Sequence, residues 1–130
     1  MSADRPLVLI IDDDPHSVDI LTATLTQTYE VIAASDGLDG YALACERRPT
    51  VIVLDVLMPL VDGWTVLRKL RFNPATANAR VVIITAADQA DVRREAEKLR
   101  VFEVIHKPAS VSDVRKLVAR AIAASRPSVV

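Results

Sequence analysis

Five short runs of β-branched and aliphatic residues, separated by stretches of helical periodicity, leave this chain very few folds. The runs are Leu7–Ile11, Tyr29–Ala34, Thr50–Leu54, Arg80–Thr85 and Phe102–His106. Runs one, three and four are apolar almost throughout, the pattern of strands covered on both faces, as in a parallel sheet. Runs two and five are more mixed and are expected at the sheet edges. Between them, Val18, Leu21 and Leu25 recur at helical spacing behind Asp14-Pro15, a cap and first turn. Leu38, Tyr41, Ala42 and Cys45 form an i, i+3, i+4, i+7 stripe, with Cys45 read as core. Trp64, Leu67 and Leu70 follow Asp62, a second cap, with Trp64 packed near the start of its helix; Val92, Ala96 and Leu99 pattern the charged segment 91–100. Val114, Leu117, Val118, Ala121 and Ile122 follow Ser110-Val111-Ser112-Asp113, a capping box.

Strand–helix alternation five times over predicts an α/β fold with parallel strands, right-handed crossovers and helices on both faces. The length of 130 residues suits one domain, expected over 1–124, with 125–130 a flexible tail. The hydrophobic fraction of 51% and charged fraction of 25% exclude a disordered chain. A formal charge of −1 without a basic stripe argues against direct nucleic-acid binding. The apolar runs are too short for a membrane span, and the N-terminus lacks a signal-peptide core. Cys45, the sole cysteine, permits no intrachain disulfide, so a reducing, cytoplasmic location is expected.

Sheets of this kind bind ligands beyond the carboxyl ends of their strands. Those ends carry Asp12, Asp13 and Asp14 after run one, Asp55 after run three, Thr85 on run four and Lys107 after run five. Crowded carboxylates repel one another. A single lysine does not balance them, whereas Mg²⁺ does, keeping positions open for phosphate oxygens. Thr85 and Lys107 would stabilise a transferring phosphoryl group. Asp55, closing the central apolar run between the other groups, is the expected nucleophile. Asp14 is expected only as a helix cap. His16 is expected exposed on a first turn, and His106 turned away from Lys107.

The segments Ile10-Ile11-Asp12-Asp13-Asp14-Pro15, Leu54-Asp55-Val56-Leu57-Met58-Pro59, Asp62-Gly63, Ile84-Thr85-Ala86 and Lys107-Pro108 together resemble the motifs of response regulator receiver domains, in order and over nearly the whole chain. The resemblance implies a three-layer flavodoxin-like (βα)5 fold with strand order 2-1-3-4-5, an order for which a member of this family is a standard example. It implies phosphorylation on Asp55 by a sensor histidine kinase or a histidine phosphotransfer protein. It also implies Mg²⁺ held by Asp13, Asp12 (largely through water), Asp55 and the backbone carbonyl of Leu57. Lys107 would pair with the phosphoryl group, Thr85 would move to meet it, and the Lys107-Pro108 peptide would be cis. The chain would act alone, since no output domain follows, as a monomer or weak homodimer controlling a further protein target.

Three positions depart from the family. Val104 stands where an aromatic residue is usual, Ala109 follows Lys107-Pro108 where Phe is common, and Leu99-Arg100-Val101 replaces a glycine-containing turn. Phe102 lies two residues before Val104, which in a strand is the same face one step further off. Leu57 and Ala87, two residues after Asp55 and Thr85, have no side-chain group to orient water, which predicts slow self-dephosphorylation. Two competing functions remain at this level: a degenerate receiver serving as an unphosphorylated interaction module, and a phosphatase using Asp12-Asp13-Asp14 as an Asp-x-Asp nucleophile motif. The latter is disfavoured by His16 and by the short chain.

Overall fold

The computed structural model describes residues 5–58 and 61–125. Strands β1 (Leu7–Ile11), β2 (Glu30–Ala34), β3 (Val51–Leu54), β4 (Arg80–Thr85) and β5 (Glu103–His106) alternate with helices α1 (Pro15–Leu25), α2 (Gly37–Arg47), α3 (Gly63–Phe72), α4 (Gln89–Lys98) and α5 (Val111–Ser125). The strands form one parallel sheet in the order β2-β1-β3-β4-β5, with the two mixed runs at its edges as expected. Ser125, expected in the tail, closes α5; residues 126–130 lie outside the described residues.

Alternation along the central strands divides the core in two. Val8, Ile10, Val51, Val53, Val82 and Ile84 meet the apolar stripes of α1 and α5. Leu9, Ile11, Ile52, Leu54, Val81 and Ile83 meet α2, α3 and α4 on the other face. Each such fully buried aliphatic contributes roughly 1.5–3 kcal/mol relative to exposure, which is why near-continuous apolar runs specify a two-faced strand.

The caps act as the sequence suggests. Asp14 accepts from His16 N–H with Pro15 at the first helical position, Asp62 accepts from Thr65 N–H, and Ser110 Oγ accepts from Asp113 N–H. The α5 stripe is buried at all five expected positions.

The α2 stripe is rotated from the expected one. Gly37, Gly40 and Ala44 are buried, Leu38 and Ala42 are exposed, and Tyr41 and Cys45 are half-buried. A Cβ on Gly40 would stand 2.7 Å from Ile11 Cδ1. The helix thus sits so close to β1 that glycine is the contact residue, and hydropathy spacing alone does not report it. Cys45, expected as core, instead lies at the helix margin and accepts a hydrogen bond from Asn73 Nδ2 at 3.3 Å.

Phe102 also differs from expectation. It precedes β5 and packs with the α1/α5 core, under the Arg120 guanidinium at 6.0 Å, while Val104 belongs to the opposite core. The strand begins only at Glu103, so alternation does not carry Phe102 onto the face of Val104.

Candidate functional site

Parallel pairing sets the carboxyl ends of β1, β3, β4 and β5 along one edge. Asp12 and Asp13 follow β1, Asp55 follows β3, Thr85 ends β4 and Lys107 follows β5. Backbone bonds continue the sheet one residue further: Asp55 N–H donates to Ile11 O at 3.0 Å, and Lys107 N–H to Thr85 O at 2.8 Å.

Asp55 is 6% exposed and its carboxylate is fully engaged. Thr85 Oγ1–H and Leu57 N–H donate to Oδ1 at 2.8 and 2.9 Å, and Lys107 Nζ donates to Oδ2 at 2.8 Å. Thr85, fully buried, itself accepts from Ala87 N–H at 3.2 Å. Lys107 Nζ also reaches Asp12 Oδ2 at 3.0 Å, and Asp14 N–H donates to Asp12 Oδ1 at 3.0 Å.

Gly63 makes the β3–α3 turn compact. A Cβ there would lie 2.5 Å from Val56 Cα and 2.8 Å from Asp55 O, so only glycine lets α3 close beneath the acceptor. This is the physical content of the Asp62-Gly63 motif. Pro59 of the preceding motif lies outside the described residues.

One carboxylate oxygen each from Asp12, Asp13 and Asp55 falls within 4.8 Å of the others, with Asp12 and Asp55 buried and Asp13 exposed. Burial raises the Asp12 pKa; the bonds from Asp14 N–H and Lys107 offset this only in part, and the charge of Asp55 adds to it. Burial alone would lower the Lys107 pKa, but hydrogen bonds and attraction from Asp55 and Asp12 outweigh it and the net shift is upward. One ammonium against three carboxylates leaves the cluster anionic. Hard oxygen donors, partly open to water and short of positive charge, fit Mg²⁺.

The other expected residues take subsidiary places. Asp14 caps α1, and its pKa is lowered by bonds from Ser17 Oγ and His16 N–H. His16 is exposed. His106 Nδ1 lies 3.2 Å from Thr85 O, while its Nε2 is buried without a partner among the described residues. The Lys107-Pro108 peptide is cis. Leu57 is 54% exposed at the mouth of the site. Arg71, which no sequence pattern singled out, also has a shifted pKa, lowered first by burial and then by Arg100 and Arg80; basic residues in the last turn of α3 were its only sequence signal.

Comparisons with known proteins agree with this geometry. Residues 8–119 match the family model for the response regulator receiver domain. The chain is 37% identical over 116 residues to the Synechocystis DNA-binding dual master transcriptional regulator RpaA, covering 88% of this chain and 47% of that protein. It is 30% identical over 112 residues to Pseudomonas aeruginosa protein PilH, covering 85% of this chain and 93% of that protein. The chain thus spans about half or less of the length of the first curated relatives it matches, 47% in one and 22% in another. Among solved structures, the Vibrio cholerae chemotaxis protein CheY4 superposes with a TM-score of 0.85 at 24% identity, covering 90% of this chain and 98% of that chain.

Proposed function

The chain belongs to the response regulator receiver domain family of two-component signalling, and from that premise we propose that Asp55 is its phospho-acceptor. Receiver domains are phospho-acceptor switches. The observation that carries the assignment is the placement of Asp55: buried at the end of the central strand, with Lys107 Nζ, Thr85 Oγ1 and Leu57 N–H all directed at its two oxygens.

In this reading an Asp55 oxygen attacks phosphorus, the bond from phosphorus to the donor's histidine nitrogen breaks, and an acyl phosphate forms. Lys107 and Thr85 are then positioned to leave the carboxylate and meet the phosphoryl oxygens, which is the conformational step of the switch. Asp12, Asp13, Asp55 and the Leu57 carbonyl would hold Mg²⁺, which neutralises charge developing on those oxygens. The donor would be a phosphohistidine of a sensor kinase or phosphotransfer protein. The output would be a changed affinity for a protein target, with no catalysis beyond the domain's own phosphorylation and dephosphorylation. Leu57 and Ala87 offer no side-chain donor to a hydrolytic water, so the acyl phosphate would be long-lived.

Intact mass spectrometry after incubation with Mg²⁺ and acetyl phosphate tests the reading. A stoichiometric phosphate adduct, lost in Asp55→Asn, supports it. Turnover without an adduct would point to a phosphatase, and an inert protein, also untouched by a phosphohistidine donor, to an unphosphorylated interaction module.

A further inference from the structure

The pole of the sheet opposite Asp55, where β4 and β5 begin, holds a second concentration of charge, of opposite sign. Arg71 from the end of α3, Arg80 at the start of β4 and Arg100 ahead of β5 line one cleft of about 320 Å³, with Asn78 and Ser125 at its sides and no acidic residue in its lining among the described residues.

Arg71 is consumed by the fold. Its Nε donates to Leu99 O at 2.8 Å, one terminal nitrogen to Ala77 O and Ala79 O at 3.0 and 2.7 Å, and the other to Arg100 O at 3.2 Å. Four of the five donors of a guanidinium are thereby used. Arg80 and Arg100 are not consumed. Arg80 spends one terminal nitrogen on Ala124 O at 3.0 Å, and no hydrogen bond from the Arg100 side chain occurs among the described residues. Arg100 is held at φ 58°, in the left-handed region where a non-glycine residue is uncommon. Like charges are therefore gathered without a counter-charge among the described residues, and burial together with Arg100 and Arg80 pulls the Arg71 pKa down to about 10.

We propose that this cleft binds the phosphate groups of a small phosphate-bearing anion, taken by the open guanidinium donors of Arg80 and Arg100 over the fixed charge of Arg71. Guanidinium forks match phosphate oxygens in pairs. The cleft is at the lower end of the size of small-ligand sites, roughly 300–1,000 Å³, which suits a small anion. The bound anion would tie the α3–β4 loop to the start of β5 and the end of α5, far from Asp55.

The test is amide NMR of the full chain in EDTA without Mg²⁺, titrated with pyrophosphate and separately with ADP, at ionic strength fixed with chloride. Saturating shifts are expected around residues 77–80, 99–101 and 123–125. Arg100→Gly is expected to weaken binding at least tenfold while keeping the fold, since glycine accepts φ 58° without strain. Arg100→Lys should retain part of the affinity. Equal affinities for pyrophosphate and ADP assign the cleft to phosphates alone, and tighter ADP extends it to the nucleoside. No saturable shift at these amides overturns the proposal, as does unchanged affinity in Arg100→Gly or shifts centred on Asp12, Asp55 and Lys107.

Discussion

The two ends of the sheet each crowd like charges into partly buried space, but they spend them differently. At the carboxyl end, Asp12 and Asp55 share a single lysine, and Asp13 stays exposed with its carboxylate within reach of both. At the amino end, Arg71 commits four of its five donors to backbone carbonyls of the α3–β4 loop and the α4–β5 turn. A charge whose hydrogen-bonding capacity is used up is a structural fastening. A charge left over is a capacity to bind. Asp13 is the left-over charge of the first pole, and Arg100 with most of Arg80 that of the second.

The largest expected effect isolates the carboxyl end. Asp55→Asn should abolish the phosphate adduct entirely while changing the thermal midpoint little, because the amide oxygen still accepts from Thr85 and Leu57 and the lost Lys107 bond is offset by relief of the repulsion from Asp12. An adduct that persists in this variant moves the acceptor elsewhere and breaks the comparison.

The reciprocal variant is Arg71→Met. It strands several partly buried carbonyls, each costing about 1–3 kcal/mol if left unpaired, while relieving repulsion from Arg80 and Arg100. A net loss of about 3 kcal/mol is expected, a drop of about 10 °C in Tm, with the adduct still forming in the folded protein at 25 °C. Calorimetry paired with the mass assay reads both. Normal stability with lost phosphorylation would mean that the two poles are not separate in role.

Asp13→Asn sharpens the distinction between spent and unspent charge. It removes a carboxylate that makes no hydrogen bond among the described residues, so stability should change by less than about 0.5 kcal/mol. Saturable Mg²⁺ binding, followed by quenching of the half-buried Trp64, should nonetheless disappear. Retained Mg²⁺ affinity would remove the electrostatic basis of the site.

How legible each pole was follows from how its residues are spread along the chain. The carboxyl-end groups all terminate apolar runs, and parallel strands must end on one edge, so a one-dimensional pattern carried their convergence. The mixed runs marked the two edge strands, and the full strand order came from the family resemblance of the motifs. The arginine cleft draws on a helix end, a strand start and a left-handed turn, places with no shared periodicity. The same limit explains α2 and Phe102. Burial of Gly40 leaves no hydropathy signal, and the face of Phe102 depended on whether β5 began one residue earlier.

The smallest effect concerns Asp12, which is both buried and functional. Its folded pKa is raised above the ordinary value of 3.8, first by burial and also by Asp55. A raised carboxyl pKa means that folding favours the neutral form. The associated stability is present below pH 3.8 and is lost as pH rises through the higher folded value. At neutral pH the charged Asp12 is therefore a burden on the fold, kept for what it binds. Asp12→Asn should melt higher than the unsubstituted chain at pH 7, by an amount of order 1 kcal/mol after solvent screening, or about 4 °C. That gain should shrink as the pH falls through the higher folded value toward 3.8, below which both side chains are neutral in either state. Saturating Mg²⁺ should close the same gap from the other direction, by stabilising the aspartate form and not the asparagine variant. Thermal melts at the two pH values, with and without Mg²⁺, decide it. An Asp12→Asn variant that melts lower at pH 7 would mean that Lys107 more than compensates the crowded carboxylates, and the carboxyl end would then be as fully spent as Arg71.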